Sequence, residues 1–160
     1  MAGKELVKKK VALQLPAVAR EAPVSERYSL ELEALAAVAD IVAIDATNTG
    51  TFLSGARDAD ALITSWGIKI DQQIIAGLDK CVVIGVGSVG VDMVDVDAAT
   101  EAGIVVTNVP DVFIEEVADH TLMLLLACAR RVKIQDKMVK QGDWYKGRPA
   151  LNQIPRRWGL

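Results

Sequence analysis

Short apolar runs recur along the chain, and their residues do not alternate with polar ones. The runs are VALQL (11–15), IVAID (41–45), DALIT (60–64), CVVIG (81–85) and GIVVTN (103–108). Continuous apolar runs of this length are typical of strands that are covered on both faces, as in parallel sheets. The pattern therefore predicts five strands.

Helical patterns lie between these runs. Ser25 or Ser29 is a candidate cap for a helix through LELEALAAVA, whose apolar stripe would be Leu30, Leu32, Leu35, Ala36 and Val38. Asp71 is a candidate cap for QQIIAGL, and Asp97 for AATEA, which Gly103 would end in a left-handed turn. The alternation of strands and helices predicts the α/β class, with a doubly wound, parallel, five-stranded sheet.

The pattern changes after the fifth run. Turn residues at 108–111 precede a long helix from about Glu115 through EEVADHTLMLLLACARR, with glutamates at its start and arginines late, as the helix dipole favours. Its middle is apolar nearly all round, so more than one surface must cover it. A second helix, VKIQDKMVKQ, should stop at Gly142, and DWYKGRPALNQIPRRWGL shows no steady period.

Composition narrows the choice of partners. The chain has 160 residues and a formal net charge of -3, so it can form one domain with a core but has no positive field to gather nucleic acid. Its longest apolar run, LMLLLACA, is far shorter than the ~20 residues that span a bilayer. We expect a cytoplasmic protein without a signal peptide. Cys81 and Cys128 lie far apart in apolar segments, which predicts core thiols rather than a disulfide or a metal site.

One stretch carries candidate chemistry. Residues 85–90 (GVGSVG) spell G-x-G-x-x-G directly after a predicted strand, where a dinucleotide-binding loop would begin. However, Asp92, Asp95 and Asp97 follow, where their charge would repel a pyrophosphate. The loop could instead offer bare backbone N–H groups to a single carboxylate, or be a tight turn without a ligand. The residues alone leave all three interpretations open.

A longer segment resembles a known family. GSVGVDMVDVDAATEAGIVVTNVPDVFIEEVADHTLMLLLACAR, followed by Trp144 after a Gly-Asp pair, is similar to the signature region of the D-isomer-specific 2-hydroxyacid dehydrogenases. The resemblance implies a flavodoxin-like substrate-binding (catalytic) domain over residues 1–110. Residues 111–160 would then be interdomain helices and the start of an NAD-binding domain, with the family's dinucleotide loop further downstream. GVGSVG would be a look-alike of that loop.

The resemblance also implies roles for single residues. In the family, the N–H groups at the positions of Val89 and Gly90 bind the substrate carboxylate. Ser88, which replaces a common glycine in the same loop, is expected to belong to the substrate-binding residues with them. Val117 matches a position that contacts the nicotinamide end of NAD. Phe113 stands where many relatives carry an asparagine near the substrate.

The family's reactive groups have no counterpart in the chain. The catalytic Arg, Glu and His of the family would lie downstream of Leu160, so the resemblance implies no catalytic residue here. We expect His120 to be structural, hydrogen-bonded near the start of the long helix. Trp66 and Trp144 are interpreted as packing anchors, although Trp66 follows the third strand and remains a candidate substrate contact.

The resulting functional hypothesis is the substrate-binding portion of an oxidoreductase that interconverts 2-keto acids and D-2-hydroxy acids. NAD would be bound mainly by the downstream domain, with NADP left open, and the chain alone would be inactive. One alternative is a dimerisation or interaction module acting through the apolar helix, which helps form the dimer in the family and implies a homodimer. The other is a self-contained dinucleotide binder using residues 85–90.

Overall fold

The computed structural model describes residues 7–15 and 23–152. The chain divides into two units, the first ending at Val112 and the second beginning at Phe113. Each unit is described by itself below.

The first unit is built on a five-stranded parallel sheet with the order β2-β1-β3-β4-β5. The strands are β1 (Lys9–Leu15), β2 (Ala39–Asp45), β3 (Ala61–Thr64), β4 (Val83–Val86) and β5 (Val105–Thr107). All five predicted strands are confirmed, with ends that differ by one or two residues. The strand order is that of flavodoxin-like folds, so the predicted fold class is also confirmed.

Five helices connect these strands: α1 (Val24–Arg27), α2 (Ser29–Leu35), α3 (Thr49–Ala56), α4 (Gln72–Ala76) and α5 (Val96–Glu101). Their apolar side chains form one buried cluster with those of the sheet. Leu62 and Ile84 contribute from the strands, and Phe52 and Ile74 from the helices, all almost fully buried. The core therefore lies between the sheet and its crossover helices, as the apolar runs predicted.

For α4 and α5, two of the predicted helix ends are confirmed and one is wrong. Asp71 caps α4 by accepting a hydrogen bond from the N–H of Ile74 at 3.0 Å, and Gly103 follows α5 with φ 72°. The cap of α5, however, is Asp95, which accepts from the N–H of Ala98 at 3.0 Å. Asp97 lies inside the first helical turn, so its side chain is past the position from which it could cap.

The first helical region also differs from the prediction. It is two short helices rather than one, because the chain leaves helical geometry at Tyr28, whose side chain is buried. Neither Ser25 nor Ser29 caps a helix, since both lie inside helical segments. The predicted apolar stripe is wrong at Leu30, which is exposed, and at Ala36 and Val38, which are exposed and lie beyond the end of α2.

The second unit consists of α6 (Ile114–Arg130), α7 (Val132–Lys140) and α8 (Trp144–Asn152). The long helix is confirmed, with Glu115 and Glu116 in its first turn. The second helix is confirmed as well and gives way to Gly142, which has φ 71°. The expectation of an irregular segment after Gly142 is wrong for α8, where Gly147 and Pro149 conceal the helix in the sequence pattern.

The side chains of α6 are largely exposed within the described structure. Its apolar residues Leu122, Met123, Leu124, Leu125 and Leu126 are each at least half exposed. Cys128 is exposed too, so the predicted core thiol is wrong there, whereas Cys81 is buried as predicted. No helix of the described residues has the length and apolarity needed to cross a membrane.

Candidate functional site

The loop after β4 lies at the carboxyl edge of the sheet, where parallel α/β folds place their ligand sites. We call residues 87–95 the glycine loop. It is fixed at its start because the N–H of Gly87 donates to the Thr64 carbonyl at 2.8 Å. At its end, Ile70 donates to the Met93 carbonyl at 2.8 Å and accepts from the N–H of Asp95 at 2.9 Å. The loop is therefore held against the segment that follows β3.

Three successive carbonyls of the glycine loop accept hydrogen bonds from within the first unit. The Ser88 carbonyl accepts from the N–H of Val109 at 3.2 Å, and the Val89 carbonyl from Nδ2 of Asn108 at 2.7 Å. The Gly90 carbonyl accepts from Oγ of Ser88 at 2.8 Å. By contrast, the N–H groups of Val89 and Gly90 donate to no other described residue. The N–H groups of Ser88, Val91, Asp92 and Met93 likewise have no described acceptor, so the loop offers a run of donors, and a carboxylate has two oxygens that can accept from an adjacent pair.

The charges near the loop favour a small anion over a pyrophosphate. The Asp92 carboxylate is close to Gly90, where a Cβ would lie 2.8 Å from Oδ2 of Asp92. No helix begins at Gly90, since α5 starts only at Val96 and the Asp95 side chain already occupies its N-terminus. A dinucleotide loop needs that free helix start for its phosphates. The geometry therefore gives the look-alike interpretation better support than the dinucleotide one.

The geometry of the turn does not explain why residues 85 and 87 are glycines. Among the described glycines, only Gly103 and Gly142 have a positive φ. A Cβ on Gly85 would lie no closer than 3.8 Å to a neighbour, and one on Gly87 no closer than 3.6 Å. Both positions would accept an alanine without strain, so the interpretation of a tight turn without a ligand does not account for them.

A buried polar pair supports the neighbouring segment. Gln14 and Thr64 are both 1% exposed, and Oγ1 of Thr64 donates to Oε1 of Gln14 at 2.5 Å. Nε2 of Gln14 donates to the Ile68 carbonyl at 2.9 Å, which fixes the segment after β3. Sequence reasoning missed Gln14, although a single amide inside the apolar run VALQL was a signal for it. Trp66, on this segment, is 71% exposed, so it is not the packing anchor that was expected.

The remaining predicted residues belong to the second unit. Val117 and His120 lie on α6 and Phe113 precedes it, and all three are exposed. The hydrogen bond expected for His120 is not among those made by the described residues. Trp144 begins α8 and is half-buried, which is compatible with the expected packing role.

Comparison with known proteins gives a consistent result. Residues 19–154 match the D-isomer specific 2-hydroxyacid dehydrogenase catalytic domain. The chain is 42% identical over 92 residues to a glyoxylate reductase of Pyrococcus furiosus, covering 58% of this chain and 27% of that protein. It is equally identical, over 92 residues, to a D-3-phosphoglycerate dehydrogenase of Methanocaldococcus jannaschii, covering 58% of this chain and 18% of that protein.

A solved structure agrees with these matches. The 2-hydroxyacid dehydrogenase of Ketogulonicigenium vulgare superposes with a TM-score of 0.66 at 26% identity, covering 88% of this chain and 42% of that one. The chain thus spans less than half the length of the relatives it matches. The catalytic-domain match takes in four of the five strands, β2 to β5, together with the glycine loop and α6. The chain therefore belongs to the D-isomer specific 2-hydroxyacid dehydrogenase family, of which it contains the catalytic, substrate-binding domain.

Proposed function

We propose that the chain binds the carboxylate of a 2-keto or D-2-hydroxy acid through the backbone N–H groups of Val89 and Gly90. The observation that carries the proposal is that three carbonyls of the glycine loop are held internally, whereas the N–H groups of residues 88–93 donate to no described residue. The family resemblance selects Val89 and Gly90 among these donors. Peptide dipoles that are fixed in this way do not have to reorient when an anion arrives. Ser88 supports the site through its hydroxyl rather than by contacting the acid.

The wider role follows from the family. The bound acid would be oxidised or reduced by hydride exchange with NAD or NADP, which the family uses, and Val117 would offer only an apolar contact to the nicotinamide. Residues 1–110 would form the substrate-binding domain and residues 111–160 the interdomain helices with the start of the cofactor domain. Since no residue of this chain matches the family's Arg, Glu or His, we expect the 160-residue chain to bind the acid without turning it over.

The test is a titration of the ¹⁵N-labelled chain with glyoxylate, followed by NMR. We expect saturable shifts of the Val89 and Gly90 amides, and none with glyoxylamide, which lacks the charged carboxylate. Changing Asn108→Ala should weaken binding by roughly fivefold, the effect of losing one hydrogen bond of about 1 kcal/mol. Asp79→Asn, a surface change away from the loop, should leave binding as it was. Unmoved Val89 and Gly90 amides at saturating acid would refute the proposal.

A charge change gives an independent check of the same site. Asp92→Asn removes the negative charge beside Gly90, so we expect the acid to bind a few-fold more tightly at low salt and the gain to shrink as salt screens the charge. An unchanged affinity at low salt would show that the acid binds elsewhere.

A second function has its own support in α6. Five successive apolar side chains, 122–126, are at least half exposed, and an apolar surface of this kind often marks an interface. We propose that α6 pairs with a second copy of the chain. Sedimentation should then show a mass that rises with concentration and a return to monomer in Leu124→Glu. Lys133→Gln on α7, which also makes the net charge one unit more negative, is the charge-matched control. A monomer at every concentration would exclude this pairing.

A further inference from the structure

The charges of the chain are segregated along its sequence. Between Lys80 and Arg130 there is no lysine or arginine, whereas eight acidic residues fall in that stretch. From Arg130 onwards, nine basic residues accompany only two acidic ones. α6 spans this boundary, so its first turn is acidic and its last residue is basic. The two ends of this apolar helix therefore carry opposite charges.

One line of side chains on α6 joins these charges. Residues that follow one another by four and three positions in turn lie on one side of an α-helix. From Glu116, this spacing gives His120, Met123, Ala127 and Arg130. Met123 is half exposed and lies midway between the two charged residues, which are exposed as well. We call these five residues the Met123 line.

The charged ends of the Met123 line are not used within the described part of the chain. Neither Glu116 nor Arg130 takes part in an ion pair between described residues. They are separated by about 21 Å along the helix axis, so they cannot pair with each other within one copy. Both charges are thus available to a second molecule.

The Met123 line is complementary to itself when two copies run antiparallel. A two-fold axis at Met123 places Glu116 of each copy opposite Arg130 of the other and brings the two methionines together. His120 then lies opposite the small side chain of Ala127. In a parallel pair, by contrast, glutamate would face glutamate and arginine would face arginine, and such like-charge contacts are unfavourable.

We propose that two copies of the chain pair through the Met123 line in antiparallel orientation, with each Glu116 bonded to Arg130 of the other copy. This inference rests on the proposed pairing of α6 and adds the surface and the direction. Leu124 is next to Met123 at the edge of the line, so its exposed side chain extends the apolar centre of the contact. The apolar centre supplies the burial, and the charges at the two ends determine the orientation.

The first experiment is charge reversal in the full chain, with association measured by sedimentation. Glu116→Arg and Arg130→Glu should each weaken association by at least roughly tenfold, because two ion pairs in each dimer become two repulsions. A chain with both changes should associate to within about threefold of the wild-type value, since the pairs are restored with exchanged charges. Glu115→Arg, the same change one residue away and off the line, is the matched control and should change association by less than about threefold.

Cross-linking tests the direction separately. Glu116→Cys and Arg130→Cys are each made in a chain that also carries Cys128→Ser, mixed, and treated with a short bismaleimide. The remaining native thiol, Cys81, is buried. We expect linked pairs that contain one chain of each variant. Linked pairs formed chiefly between like chains would indicate a parallel arrangement and overturn the proposal.

The outcomes separate this proposal from the pairing itself. If the wild-type chain is a monomer at every concentration, both fail. If it associates but the reversal variants behave like Glu115→Arg, the pairing of α6 stands and the Met123 line is the wrong surface. If circular dichroism shows that a reversal unfolds α6, Glu116→Gln and Arg130→Gln take its place, each with a loss of several-fold that Glu115→Gln does not show.

Discussion

The two units of the chain use apolar residues differently. In the first unit, side chains from the sheet and from its helices bury one another, and residues such as Phe52 and Leu62 are almost wholly enclosed. In the second, neither α6 nor α7 contains a buried residue, although α6 is the more apolar helix. In a crossover connection, the same chain supplies the helix that covers the sheet. The apolar residues of α6 indicate only that some other surface must bury them. The apolar pattern of a helix therefore predicts that it has an interface, but not which surface packs against it.

The largest expected effect tests this contrast directly. Phe52→Ala should lower the free energy of unfolding by about 3–5 kcal/mol, because it leaves a cavity in a closed core. In the monomeric chain, below the concentration at which α6 would pair, Leu124→Ala removes a side chain that is 50% exposed and should change the free energy by less than about 0.5 kcal/mol. Urea unfolding followed by circular dichroism measures both. Equal losses would mean that α6 is covered as well as α3.

A pair of glycines allows the same comparison at helix ends. Gly103 and Gly142 both have positive φ with open space around them, the first after α5 and the second after α7. An alanine is strained in that conformation, so each change should cost the local structure about 1 kcal/mol. We expect Gly103→Ala to lower the unfolding midpoint of the sheet and Gly142→Ala to reduce helicity without moving that midpoint. A shift of the sheet midpoint by both would contradict the contrast.

A third prediction concerns the start of α5. Asp95→Ala removes the side-chain acceptor of the Ala98 N–H and should cost about 1 kcal/mol. Asp97→Ala should cost less, because it removes only a favourable charge in the first turn of the helix. Thermal unfolding of the two variants side by side checks the order, and a larger loss from Asp97→Ala would return the cap to the residue that the sequence pattern favoured.

The smallest expected effect is a difference between the two units in the rate at which their cysteine thiols are modified. Burial raises the pKa of the Cys81 thiol, whereas Cys128 is exposed on α6. In the monomeric chain, a disulfide reagent at pH 8 should therefore modify Cys128 rapidly and Cys81 only as the sheet opens. At a pH between the pKa of the unfolded thiol and the raised pKa of the folded one, Cys81 is protonated in the folded state and ionised in the unfolded state. The free energy of unfolding is therefore unaffected by this group below the pKa of the unfolded thiol, and it falls as pH rises from there through the folded pKa. Equal rates for the two cysteines would show that α6 is covered after all.

Much of the fold was predictable because its signals are local. The five strands could be located from runs of apolar residues, and Asp71 and Gly103 could be identified from helix-end chemistry that depends on a few neighbours. Asp95 and Asp97 could not be separated in this way, because both carry a carboxylate within one turn of the helix start. The division of the first helical region into α1 and α2 at Tyr28 could not be predicted from the sequence either, because it depends on where the Tyr28 ring is buried.

The site was less predictable because its parts are distant in the sequence. GVGSVG could be found by inspection, but its meaning depends on whether a helix follows Gly90 and on which atoms hold the Val89 carbonyl. Asn108, which holds it, belongs to the next strand-to-helix connection. Gln14 and Thr64 become neighbours only when β1 and β3 pair. Resemblance to a family supplied the residues that periodicity alone could not.

The position of β1 inside the sheet has a consequence for how the protein forms. β1 is made before the other described strands, yet its two neighbours are β2 and β3, whose residues end at Asp45 and Thr64. During synthesis, both edges of β1 remain unpaired until those later segments have left the ribosome. Sheets that pair segments distant in sequence also fold slowly. The nascent first strand is therefore exposed to chaperones and to other nascent chains for as long as it takes to translate the path to Thr64.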